Sequence, residues 1–272
     1  MSAIQPNAKQ FNPNQLNLVE VASYEREVDA PLVRVWENVL DWEHLPWLHD
    51  TSFNYVELDE GGDWGWRTWS DPDHLSHVEL TLADNSRYVA RSYQSSAQVS
   101  EIWTELTDHD QTTGVKVTFH IADVTDEAKE AVGAAMLRLY TRLWDEDEAM
   151  MRERHLRLHE ERDLTAEVDL GQLDALRQAV TLGERIVFQL QRREYQLALE
   201  KDELVSHSTI CPHLLGPLQA GAEPDELFCP WHGYRFNRET GACVYPAEAT
   251  CRLSPPPQLT VENGRLIARS GR

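Results

Sequence analysis

Two pairs of cysteine and histidine constrain the fold of the last third of this 272-residue chain more than any other feature. Cys211 and His213 have one residue between them, and Cys229 and His232 have two. Proline follows each cysteine and glycine lies close behind each histidine, so both pairs are expected on loop tips. Thiolate and imidazole are ligands for iron and for zinc, and the two loops therefore predict a metal centre.

The arrangement of these donors favours a [2Fe-2S] cluster over zinc. A zinc finger joins a cysteine pair and a histidine pair around a helix, whereas here cysteine and histidine alternate among strands and turns. A cluster with two thiolates on one iron and two imidazoles on the other needs this mixed set. Structural Cys2His2 zinc is the competing assignment.

The segments CPHLLGPL and CPWHGYRFNRETGACV resemble the ligand loops of a Rieske domain, and GERIVFQLQRREYQLALE resembles its opening hairpin. The resemblance implies that Cys211 and Cys229 hold one iron and that His213 and His232 hold the other. Respiratory-complex Rieske proteins have further cysteines and a serine around the cluster. This chain lacks them, which predicts a low reduction potential.

Residues 18–163 have a different pattern. One strand is followed by helices, six short strand-like runs between turn residues, and a helical segment that ends near residue 162. This order resembles the helix-grip fold of START and Bet v 1-like proteins. The predicted fold class is therefore α+β, with a helix-grip domain followed by a mostly β Rieske domain.

Four segments are predicted along the chain. They are a flexible N-terminal arm at residues 1–17, the helix-grip catalytic domain at 18–163, a linker at 164–181 and the Rieske domain at 182–272.

The stretch DWEHLPWLH contains Asp41, His44 and His49. Asp41 and His44 are three residues apart, so on a helix the carboxylate can accept a hydrogen bond from the imidazole. On a continuous helix His44 and His49 would point about 140° apart. Pro46 is expected to break the helix and let the two rings converge. Two histidines that cap a helix end without a metal are the alternative interpretation.

Beside the Rieske loops, this stretch resembles the iron site of Rieske non-haem iron oxygenases. Their segment has the form Glu-Asn, then Asp-x-x-His-x-x-x-x-His, and the chain reads ENVLDWEHLPWLH from residue 37. The resemblance implies that His44 and His49 hold a mononuclear Fe(II) and that Asp41 is a catalytic residue that links it to the cluster.

The third iron ligand is predicted in the acidic stretch LWDEDEAMMRERHLRL. Asp147 is selected because the family's ligand is an aspartate after an acidic residue, and because it follows the apolar Leu143 and Trp144 by one helical turn. The neighbouring acids leave this register open; they are Asp145, Glu146 and Glu148.

The resemblance implies an oxygenase that uses O2 and external electrons to hydroxylate or oxidatively demethylate a small molecule. Trp64, Trp66 and Trp69 are expected to share one strand face, and if this face lines the cavity the substrate is largely apolar or aromatic. A separate reductase or ferredoxin is expected as the electron donor, since the sequence has no Gly-rich nucleotide-binding motif.

The resemblance also implies a homotrimer in which the cluster of one subunit serves the iron of the next. Family members place the Rieske domain first, and this order is reversed here, so electron transfer within one chain is the alternative. Two other functions stay open. One is an electron-transfer or redox-sensing protein whose helix-grip domain binds a ligand without iron, and the other is an acid–base enzyme.

Composition limits the partners and the cellular location that are expected for the chain. A formal net charge of −21 argues against nucleic acid as a partner, because a phosphate backbone needs clusters of Lys and Arg. No apolar run approaches the about 20 residues of a membrane span, and the N-terminus is polar. A cytoplasmic protein that does not contact membranes is predicted.

Overall fold

The computed structural model describes residues 18–160, 165–191 and 193–270. The chain divides into two compact units, with the boundary between His155 and Leu156. The predicted flexible arm, residues 1–17, lies outside the described residues.

The N-terminal unit consists of a seven-stranded antiparallel sheet, two short helices and one long helix. The strands are β1 (Leu18–Val28), β2 (Glu57–Gly62), β3 (Gly65–Trp69), β4 (Ser76–Leu82), β5 (Arg87–Gln94), β6 (Ala97–His109) and β7 (Thr112–Ala122). The helices are α1 (Leu32–Leu40), α2 (Leu45–Leu48) and α3 (Asp126–His159). The strand order is β1-β7-β6-β5-β4-β3-β2. The predicted order of one strand, helices, six strands and a long helix is therefore present.

One face of this sheet packs against α3. Leu80, Ala90, Ile102 and Phe119 are successive cross-strand partners on this face, which the alternation of side chains along each strand makes apolar. Phe119 meets Tyr140 of α3 edge-on, with 4.8 Å between ring centroids. At Gly133 the helix comes so close to β1 that a β-carbon would lie 2.5 Å from a backbone oxygen. The helix and sheet therefore form one core with a cavity beside it.

The three tryptophans around β3 do not share a face, and this prediction is wrong. Trp66 is buried and faces the cavity. Trp69 lies three positions later, on the opposite face, where it stacks on His74 with 4.7 Å between centroids. Trp64 lies in the turn before β3. An odd separation along a strand reverses the face, which the sequence interpretation overlooked.

The C-terminal unit is built mainly of short strands in three small sheets. Its elements are β8 (Glu167–Gln172), α4 (Leu173–Thr181), β9 (Val187–Leu190), β10 (Arg193–Glu200), β11 (Glu203–Ser208), β12 (Gln219–Ala220), β13 (Glu226–Phe228), β14 (Arg235–Asn237), β15 (Cys243–Tyr245), β16 (Gln258–Glu262) and β17 (Arg265–Arg269). The strand orders are β11-β10-β9, β12-β13-β14-β15 and β16-β17-β8. Phe188, Tyr195, Leu197 and Leu266 form its buried core.

The prediction of a linker at residues 164–181 has to be corrected. Of its described residues, Glu167–Gln172 form β8, which pairs with β17, and Leu173–Thr181 form α4. Leu176 of α4 is buried in the core of the C-terminal unit. Alternating and helically spaced apolar residues can bury one face of each element, which a solvated linker does not do. These residues therefore belong to the C-terminal unit.

The predicted fold class is confirmed: the chain is α+β, with a helix-grip unit followed by a mostly β unit. Among the helices that the structure describes, none combines the length and the low charge that crossing a bilayer requires.

Candidate functional site

The four predicted cluster ligands lie on two loops of the C-terminal unit. Cys211 and His213 follow β11, and Cys229 and His232 follow β13. Both cysteines are 1% exposed, and their side chains are close enough for each to shift the pKa of the other. The His213 and His232 rings are perpendicular, with centroids 4.7 Å apart. All four predicted donors are thus brought together.

The backbone shapes both loops in the same way. In the first loop, the Cys211 N–H donates to the Gly216 carbonyl at 2.8 Å, and the Leu215 N–H donates to the Cys211 carbonyl at 3.1 Å. The second loop has the same two bonds. The Cys229 N–H donates to the Tyr234 carbonyl at 2.8 Å, and the Gly233 N–H donates to the Cys229 carbonyl at 2.9 Å. A β-carbon at Gly216 would lie 2.8 Å from the Cys229 sulfur, so glycine is needed where the loops approach each other.

The chemistry of this donor set suits a [2Fe-2S] cluster. The neighbouring sulfurs raise the pKa of Cys211 and lower that of Cys229, because the pair shares a proton more easily than either thiol keeps its own. Thiolate is the form that binds metal. Tyr234 stacks on the His213 ring, with 4.2 Å between centroids, and holds its orientation. Two buried thiols beside two oriented imidazoles form the mixed set that the cluster requires.

A second donor set lies in the N-terminal unit. One ligand atom from each of His44, His49 and Asp147 falls within 4.8 Å of the others. An Asp147 oxygen is 3.5 Å from His44 Nε2 and 3.1 Å from His49 Nε2. The histidines are 3% and 2% exposed. Two imidazoles and one carboxylate on one side of a centre are the set that holds mononuclear Fe(II) with open positions.

The local backbone explains why the two histidines converge. Helix α1 ends at Leu40, and α2 is a four-residue helix with His44 as its N-cap and His49 as its C-cap. Pro46 lies in the first turn of α2, where proline is tolerated. It therefore does not break a helix between the histidines, as the sequence interpretation assumed. The short helix itself places the two rings 5.2 Å apart.

The neighbouring acids on α3 have other partners. Asp145 pairs with Arg26 at 2.9 Å, and Glu148 also contacts Arg26. Glu146 Oε2 lies 2.6 Å from His49 Nδ1, on the opposite side of the ring from Asp147. The structure therefore brings Asp147, and not its neighbours, to the position between the two Nε2 atoms.

Three polar side chains position the donor set. Asp41 lies 3.7 Å from His44 Nδ1, and the Asn38 amide donates to Asp147 at 2.9 Å. Burial lowers the pKa of His49, but Asp147 and Glu146 outweigh it and raise the pKa overall. Burial likewise raises the pKa of Asp147, and the two histidines with Asn38 reverse this and lower it. Asp147 is held as a carboxylate.

The roles of Asn38 and Glu146 were missed from the sequence. Asn38 stands in the Glu-Asn pair that opens the resembled segment, and Glu146 was named only as an alternative register. The signal for Glu146 was its place next to the predicted ligand.

We expect Glu146→Ala to weaken metal binding at the N-terminal donor set by about 10- to 100-fold, because the carboxylate fixes the ring and tautomer of His49. Glu146→Gln keeps an oxygen at this position and should restore part of the affinity. Competition with a chelator for Co(II) or Fe(II) measures both variants. Equal affinities for Glu146→Ala and the unaltered protein would contradict this positioning role.

The donor set lies in the wall of a cavity of about 560 Å³ in the N-terminal unit. The side chains around it are largely apolar; they include Trp66, Val78, Leu80, Ile102, Ile121 and Leu143. The polar groups are fewer, with Ser92 and Ser100 on the sheet and Ser52 and Arg142 elsewhere in the wall. Such a cavity suits a small, mainly apolar molecule.

A family description fits the C-terminal unit. The model of the "Rieske [2Fe-2S] domain" matches residues 165–257. The C-terminal unit contains a Rieske [2Fe-2S] domain. This domain implies a [2Fe-2S] cluster. The two loops described above lie within the matched residues. The Rieske match begins at residue 165, ahead of the predicted start at 182, and so includes β8 and α4.

Comparison with other proteins adds likenesses of fold. No curated protein matches the chain. The Zhui aromatase/cyclase from Streptomyces sp. R1128 is 16% identical over 49% of this chain and 94% of its own, with a TM-score of 0.39. A Pseudomonas putida CBB5 NdmA QL mutant, solved with caffeine, is 17% identical over 52% of this chain and 43% of its own, with a TM-score of 0.37.

One of the similar solved structures is a ferredoxin. The ferredoxin of carbazole 1,9a-dioxygenase from Nocardioides aromaticivorans IC177 is 21% identical over 39% of this chain and 100% of its own, with a TM-score of 0.29. All three TM-scores are below 0.5, so no property of this chain is concluded from these likenesses.

Proposed function

We propose that the chain is a Rieske-type non-haem iron oxygenase. It would use O2 and external electrons to hydroxylate or oxidatively demethylate a largely apolar or aromatic small molecule. The observation that carries this proposal is the convergence of His44, His49 and Asp147 within 4.8 Å in the wall of an apolar cavity. A helix-grip domain that only binds a ligand has no need for this buried donor set.

Each residue of the donor set has one role in this proposal. His44 and His49 offer Nε2 to Fe(II), and Asp147 offers an oxygen. Glu146 holds the opposite ring nitrogen of His49 at 2.6 Å, and Asp41 lies 3.7 Å from that of His44. When bound, the cluster supplies single electrons and the mononuclear iron activates O2.

The cavity contributes by excluding water and by selecting the substrate. Trp66, Leu80 and Ile102 form apolar walls close to the donor set, which favour an apolar or aromatic body. A separate reductase or ferredoxin as electron donor and a homotrimer are part of the proposal. Asp41, which lies 3.7 Å from His44 Nδ1, would be the catalytic residue that links the iron to the cluster.

An electron-transfer or redox-sensing protein is the second candidate. The Rieske domain alone would suffice for it, with the cavity holding a ligand and the histidines holding no iron. This candidate needs no chemistry in the N-terminal unit.

Metal analysis of the full chain separates the two candidates. The oxygenase predicts about three irons per chain, two in the cluster and one mononuclear, whereas the electron-transfer protein predicts about two. His44→Ala should lower the count by one and leave the visible spectrum of the cluster intact. A count of two in both the unaltered protein and His44→Ala would reject the oxygenase.

A further inference from the structure

We propose that the cavity of the N-terminal unit takes a substrate with an apolar body and one carboxylate, and that Arg142 and Ser52 bind this carboxylate. The inference rests on the proposed function, because it names the substrate class of the same cavity. It makes Arg142 a residue that determines specificity.

Arg142 is an exposed residue of the cavity wall with donors beyond the one that Ser52 accepts. It lies on α3, and its Nη2 donates to the Ser52 hydroxyl at 2.7 Å. A guanidinium has five N–H donors in a planar fork, and Ser52 accepts one of them. Within the part of the chain that the structure describes, no carboxylate forms an ion pair with Arg142. The fork can therefore receive a ligand.

The acids that could neutralise Arg142 along the helix are engaged elsewhere. Side chains three and four residues apart are neighbours on a helix surface, which here selects Asp145 and Glu146. Asp145 pairs with Arg26 at 2.9 Å, and Glu146 contacts His49 at 2.6 Å. The positive charge of Arg142 is thus available in a chain whose net charge is −21.

The charges around the cavity also fix the orientation of a ligand. Asp41 and Asp147 lie in the cavity wall and would balance the two positive charges of a bound Fe(II), whereas Arg142 keeps its positive charge and attracts an anion. Asp147 lies five residues beyond Arg142, an axial rise of about 7.5 Å along α3. The two side chains are also rotated by about 140° around the helix, so a carboxylate on Arg142 lies at a different part of the cavity wall from the donor set.

A single carboxylate matches this site better than a phosphate. The planar fork of one arginine pairs with a carboxylate through two parallel hydrogen bonds. One guanidinium balances one negative charge, and Ser52 offers a hydroxyl as a further donor. The apolar side chains that line the rest of the cavity, such as Val78 and Ile121, suit the body of the ligand.

Calorimetry with two probes of one shape tests the proposal. The full-length protein is titrated with 2-naphthoate and with the neutral 2-naphthamide at pH 7. We expect naphthoate to bind at least about tenfold more tightly, since only naphthoate carries the charge. Arg142→Gln should abolish this preference. Arg138→Gln removes the same charge from an exposed position on α3 outside the cavity and should retain it.

The same titrations in His44→Ala separate this inference from the oxygenase. A preference that survives in His44→Ala and is lost in Arg142→Gln supports the carboxylate site, whatever the iron count of the unaltered protein. A preference lost in His44→Ala and kept in Arg142→Gln places the carboxylate on the metal and overturns the role of Arg142. Equal affinities of the two probes, or no binding of naphthoate, would overturn the proposed substrate class alone.

Discussion

Replacing Asp147 with alanine is expected to abolish oxygen consumption and to lower the iron content from about three to about two per chain. Within the described residues, Asp147 is the carboxylate that contacts both Nε2 atoms, and a buried pair of neutral imidazoles alone would leave the charge of Fe(II) uncompensated. The loss of iron affinity should be larger than about 100-fold, which is the upper range for removing a hydrogen-bond partner of a metal ligand. Oxygen uptake with a chemical reductant, and iron analysis, measure the two effects.

Asp145→Ala is the matched control. Asp145 lies two residues earlier on α3, and its side chain is 61% exposed and pairs with Arg26. The variant removes one aspartate from the same acidic stretch, and we expect it to keep its iron and its oxygen uptake. A third iron that survives in Asp147→Ala and disappears in Asp145→Ala would show that the register of the ligand is wrong.

Replacing Cys229 with serine is expected to remove the [2Fe-2S] cluster and its visible absorption. Cys229 is buried, its pKa is lowered, and a serine hydroxyl does not ionise at neutral pH. The iron content should fall to about one per chain if the N-terminal donor set holds its own metal. Oxygen uptake should stop as well, since electrons would no longer reach that set through the cluster.

Cys243→Ser controls for the loss of a thiol. Cys243 lies in β15 of the same unit and its side chain is partly exposed, outside the two ligand loops. We expect this variant to keep the full visible spectrum. Retention of the spectrum in Cys229→Ser would contradict the assignment of the cluster ligands.

The site residues that could be predicted from the sequence lie close together along the chain. The two Cys-His pairs each lie on one loop, and His44 and His49 flank one short helix, so a few residues carry the pattern. The order of strands and helices in the N-terminal unit followed from periodicity and turn residues in the same local way.

The parts that sequence reasoning missed depend on contacts between distant segments. Glu146 meets His49 across 97 positions, and Arg142 meets Ser52 across 90. β8 pairs with β17 near the end of the chain, and because this partner is remote in sequence the residues of β8 were predicted as a linker. A local sequence pattern does not indicate which distant side chain a residue will contact in the folded chain.

The matching turns of the two ligand loops have a consequence for the segment that joins them. Each loop closes through its own main-chain hydrogen bonds, from Cys211 to Gly216 and from Cys229 to Tyr234. Each turn is therefore set locally, and the connection between β12 and β13 can differ in length without changing either of them.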